Sequence, residues 1–144
     1  MVDRPTAGDR SMLQTVALLF GIVFLLVGIL GFIPGVTTDA PGDFLGEDSE
    51  AELFGVFQTS ILLNLVYLLF GIAGLALART WDGARTFLIG GGAIYAVLWV
   101  LGLVGGAEWI PTNTSDHWLH FVFAATMLGA GFLLGRGMPA RSAT

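Results

Sequence analysis

The chain has 144 residues, of which 55% are hydrophobic and 12% charged, with a net charge of −5 and no cysteine. A soluble domain carries about 25% charged residues, so this chain lacks the polar surface to face water on every side, and the bilayer is its expected solvent. Without cysteine there is no disulfide, thiolate metal site or cysteine nucleophile, and the acidic balance argues against nucleic acid, which needs clustered cations.

Four apolar runs, at 12–34, 54–78, 86–105 and 116–135, are each long enough to cross a hydrocarbon core that takes about 20 helical residues. They lack the period-2 alternation of a membrane barrel, and a helix satisfies its own backbone in lipid. The expected class is all-α: one domain over 1–144, an integral membrane four-helix bundle with up-down topology.

The first run follows Arg4 and Arg10. It exceeds the roughly 7–15 apolar residues of a signal peptide and has no clear small-residue cleavage site, so it reads as a retained helix. Between lipid-embedded helices apolarity gives no driving force, and small residues that let backbones approach do the packing. At alternating steps of three and four, the period of a left-handed bundle, this run presents Gln14, Ala17, Gly21, Phe24, Gly28, Gly31 and Gly35. The loop at 35–53 is acidic, with Asp39, Asp43, Glu47, Asp48, Glu50 and Glu52 among Gly and Pro, but lacks the ordered spacing of a calcium loop.

The second run carries Ser60, Asn64, Tyr67, Gly71, Gly74 and Ala78 on its seam, preceded by Gln58 and Thr59. Arg79 and Arg85 lie between it and the third run, whose seam is Gly92, Tyr95, Trp99, Gly102 and Gly106. Adding 71 carries the glycines at 21, 31 and 35 onto those at 92, 102 and 106, and adding 57 carries Gly74 onto Gly131, a trace of a repeated hairpin. Glu108 lies in the second outer loop, and Gly90–Gly91–Gly92 has neither the lysine nor the preceding strand of a phosphate loop.

The fourth run opens with SDHWLHF, which holds the only two histidines, His117 and His120, and continues to Gly131 and Gly135. Thr114 or Ser115 is the expected cap, with Asp116 at the positive end of the helix dipole. A metal held by the histidines with Glu108 or Asp116 fits poorly, because i,i+3 histidines lack the spacing of zinc motifs. A haem needs histidines on facing helices. No metal, cofactor or catalytic group is expected.

The six arginines, with Arg136 and Arg141 in the C-terminal tail, all fall on one side of the four runs. The positive-inside rule then puts both termini in the cytoplasm, and the plasma membrane is the expected location. Side chains able to hydrogen-bond within the membrane concentrate in its outer half: Gln58, Ser60, Asn64, Tyr67, Tyr95, Trp99, His117 and His120. They form either interhelical glue, with His120 bonded to Asn64, or a pocket between spans two, three and four.

The stretches FGVFQTSILLNLVYLLFGIAGLALART, FLIGGGAIYAVLWVLGLV and DHWLHFVF resemble a family of small four-helix membrane proteins, common in actinobacteria and known as domain of unknown function 4383. The resemblance covers roughly 12–135 and implies a multi-pass membrane protein without implying a reaction. Members of that family often carry histidine near the positions of Leu63 and Tyr67, which this chain lacks.

The expected role is non-enzymatic: a structural or accessory protein that meets a second copy or a membrane partner through glycine-rich helix faces, with Gly21, Gly28, Gly31, Gly71, Gly74, Gly102, Gly131 and Gly135 as the helix-packing positions. The alternative is an outer-leaflet protein that binds or transports a small molecule or lipid. Membrane lipids are partners in both.

Overall fold

A computed structural model describes residues 10–39, 44, 50–105, 110 and 112–137. The fold is all-α, built of α1 (Met12–Leu30), α2 (Ile61–Leu77), α3 (Trp81–Val104) and α4 (Thr114–Leu133), which a 3₁₀ turn at Leu134–Arg136 prolongs. The strands among the described residues are β1 (Glu52–Leu53) and β2 (Phe57–Gln58), an antiparallel hairpin pairing Glu52 with Gln58 and Leu53 with Phe57.

Each helix starts where a side chain can receive the free N–H groups of its first turn. Ser11 with Gln14 closes a capping box on α1, and Asn113 with Asp116 closes one on α4. Ser60 caps α2 by accepting from the Leu63 N–H, and Thr80 caps α3 by accepting from that of Gly83.

These caps move several expected boundaries. The first helix stops at Leu30 rather than 34, where Gly31 forms its C-cap. The second begins at Ile61 rather than 54, because the hairpin tip holds Phe54 and Gly55 at φ 56° and 66°, which no α-helix accepts. The third begins at Trp81 rather than 86, directly after Thr80. The fourth is capped by Asn113 and not by Thr114 or Ser115, since its side chain reaches the Asp116 N–H at 3.0 Å.

The helices alternate in direction. Near the start of α1, Gln14 donates to the carbonyls of Ala78 (3.2 Å) and Arg79 (3.0 Å), just beyond the end of α2. Near the start of α3, Arg85 lies against Gly135, just beyond the end of α4. Arg10, Arg79, Arg85 and Arg136 therefore share one end of the bundle, and Asp39, Glu50 and Glu52 the other. Arg4, Arg141, Asp43, Glu47, Asp48, Gly106 and Glu108 lie outside the described residues.

Sequential helices pair: α1 packs mainly on α2, and α3 on α4. Glycine allows the approach. A Cβ on Gly74 would lie 2.8 Å from Gly21 Cα, and one on Gly92 would lie 2.9 Å from Leu128 N. The two pairs join through α3, which meets both α1 and α2, whereas α1 and α4 touch only lightly.

The centre is aromatic. Phe24 is fully buried and draws rings from the other three helices. Its ring stacks on Tyr95 at 5.6 Å and meets Phe70 at 5.6 Å and Phe123 at 5.3 Å. Outside lie aliphatic side chains such as Leu26, Leu69, Ile72, Val97 and Leu133. Glycine seams inside with large apolar side chains outside is the distribution expected when hydrocarbon is the solvent. Three helices, α1, α3 and α4 with its 3₁₀ turn, are long and apolar enough to cross a membrane, and α2 is a shorter apolar helix of 17 residues.

Candidate functional site

The polar side chains toward the end opposite the arginines divide among three places. Asn64, 1% exposed, faces α1. Its Oδ1 accepts from Thr59 Oγ1 at 2.6 Å, while its Nδ2 is buried without a hydrogen-bond partner. The amide lies where a Cβ on Gly31 would be, so glycine is the only residue that admits it. Ser60 is fully buried and occupied as the cap of α2.

His117 and His120 face α3. The imidazole of His117 fills the space over Gly102, with Nδ1 buried and unpartnered. His120 is buried with its ring 5.5 Å from that of Tyr95. No bond joins His120 to Asn64, contrary to expectation. The reason is helix order: α2 is paired to α1 and α4 to α3, so the two side chains point to different neighbours. Tyr67 and Tyr95 both enter the central cluster around Phe24, at 6.2 and 5.6 Å. Trp99 lies against Phe121 at 5.0 Å, away from that centre.

The third place is the junction of α4 with the hairpin. Asp116 is buried, yet it accepts from the backbone N–H groups of Asn113 (2.8 Å) and Gln58 (3.2 Å). Asn113 Nδ2 donates to the Val56 carbonyl at 2.7 Å. The Asn113–Asp116 box thus does two jobs: it caps α4 and it holds the hairpin over the bundle. The expectation of Asp116 as a dipole partner missed this second job, because the hairpin was not legible as such. Among the described residues no group of three or more His, Asp or Glu is placed to hold a metal ion.

The held hairpin roofs a cleft of about 240 Å³ on the lightly packed α1–α4 side. Val23 and Val27 of α1 form one wall, Leu119 and Phe123 of α4 the other, and Tyr67 of α2 the back. Leu53, Phe54 and Phe57 close the top, with Gln58 and Thr59 at its edge. Sequence reasoning offered, as the alternative to interhelical glue, a pocket between spans two, three and four. The cleft instead lies between α1, α2 and α4, since Phe24, Tyr95 and His120 fill the space beside α3. The missed residues, Val23, Val27, Leu119 and Phe123, carry no sequence signal beyond apolarity.

A family model matches residues 14–133, from the first turn of α1 to the end of α4. The chain belongs to that family, described as a domain of unknown function (DUF4383). No curated protein and no solved structure matches the chain significantly. The DUF4383 match spans the four helices from the first turn of α1, with the hairpin and its roofed cleft included, and ends just before the 3₁₀ turn.

Proposed function

We propose that this DUF4383 protein crosses the plasma membrane four times, with both termini in the cytoplasm, and acts without catalysis as a structural or accessory protein. The arginine-bearing end then faces the cytoplasm and the acidic end the outside. The observation that carries the non-enzymatic reading is how the buried polar groups are used. Thr59 with Asn64, and Asp116 and Asn113 with the hairpin, bind chain segments to one another.

The helix-packing glycines are engaged within the chain, Gly21, Gly28, Gly31, Gly71 and Gly74 between α1 and α2, and Gly102 and Gly131 between α3 and α4, with Gly135 against Arg85. A second copy or a membrane partner would therefore meet the outward apolar faces, and native mass spectrometry in mild detergent reads the subunit number.

The test is substitution of the buried polar groups. Asp116→Ala leaves two backbone N–H groups without an acceptor and should lower stability by about 1–3 kcal/mol, read as a lower unfolding midpoint in detergent. Asn64→Ala should lower it less. Variants that keep full stability while abolishing a catalytic or transport activity of the wild type would sink this reading.

A further inference from the structure

From the cleft between α1 and α4 we infer a lipid site: it takes one acyl chain of an outer-leaflet phospholipid whose headgroup bears an amine. The inference rests on the membrane-spanning reading above.

The shape favours a chain. At about 240 Å³ the cleft exceeds the roughly 150 Å³ apolar cavity that suffices for a benzene-sized guest. It is too small for a helix, which is about 10 Å across with its side chains, and the hairpin closes its upper end. Val23 and Phe123, at its deep end, lie roughly 10 Å along their helices from the outer termini. An acyl segment entering sideways from the leaflet would lie between the valines of α1 and the rings of Tyr67 and Phe123.

The roof gives an independent sign. Phe54 has φ 56°, a left-handed conformation that favours glycine or asparagine, and it is the only such non-glycine residue among those described. Its N–H is held to the Val36 carbonyl at 2.8 Å. A strained bulky residue that lines a cleft points to a role for its side chain, here a ring at the roof of the cleft.

Charge selects the headgroup. Glu52 is paired in register with Gln58 at the cleft edge, and Thr38, next to Asp39, is bonded to the Glu52 carbonyl. No described arginine lies at that end. An anionic headgroup would meet like charge, and an amine meets carboxylates.

The protein reconstituted in vesicles of equal phosphatidylethanolamine and phosphatidylglycerol, then extracted in mild detergent, is read by native mass spectrometry. The wild type should retain one lipid, with phosphatidylethanolamine at least threefold over phosphatidylglycerol. Val27→Phe, which fills the cleft, and Phe54→Gly, which removes the ring while easing the backbone, should each reduce retention at least fivefold without lowering the unfolding midpoint of the lipid-free protein. Equal retention by these folded variants, a preference for phosphatidylglycerol, or a second copy of the chain held at the cleft overturns the proposal. Release from vesicles by alkaline carbonate would instead remove the membrane-spanning reading itself; firm retention in vesicles without bound lipid after extraction overturns only the cleft.

Discussion

Two residues show how local geometry here runs against ordinary preference. Phe54 sits at φ 56°, where an L-residue costs about 1–2 kcal/mol. Phe54→Gly should raise stability by roughly 0.5–1 kcal/mol after the extra chain entropy of glycine is counted; a lower midpoint in thermal unfolding would refute the strain. Asn64 is the second, an amide pressed against Gly31 with one donor unpaired. Gly31→Ala must displace that amide and break its bond to Thr59, at a cost of about 1–3 kcal/mol. Adding Asn64→Ala should recover part of the loss, and a double-mutant cycle measures the coupling. The choice of glycine at 31 and 102 was readable from seam spacing, but its cause was not. Only the structure shows that each faces a polar side chain, Asn64 in one case and His117 in the other.

Among the elements, the capping boxes govern more than helix ends. Asn113 caps α4 and also donates to Val56, so Asn113→Ala should cost more than a cap alone, about 2 kcal/mol against about 1 for Ser60→Ala. Hydrogen exchange should show the hairpin opening in the Asn113 variant and staying protected in the Ser60 variant; equal opening would contradict a tether. The hairpin is where sequence reading was weakest. FGVFQTS continues an apolar run, and hydropathy does not distinguish a strand pair from the first turns of a helix. The Gly55 turn and the caps at Ser60 and Asn113 decide it, and they act through hydrogen bonds that hydropathy does not register.

The whole molecule is two antiparallel pairs joined through α3. The glycine offsets seen in the sequence correspond to like positions in space: Gly21 meets the backbone of α2, and Gly92 that of α4. At this scale the arginine distribution makes the clearest prediction. A reporter fused to the C-terminus should read cytoplasmic and one inserted in the 35–53 loop periplasmic; the reverse would refute the proposed topology.

Helix number, antiparallel order, small residues inside and a polar end opposite the arginines all follow from hydropathy, glycine spacing and charge, which are local or periodic properties of the chain. Tertiary structure alone decided which polar residue meets which. Asn64 and His120 share a level yet face different helices, because pairing of α1 with α2 and of α3 with α4 turns them apart. The same pairing leaves the α1–α4 side loose and opens the cleft there. Side-chain neighbours depend on how helices are rotated and ordered around the bundle, and apolar periodicity does not encode that order when the outward faces are apolar too.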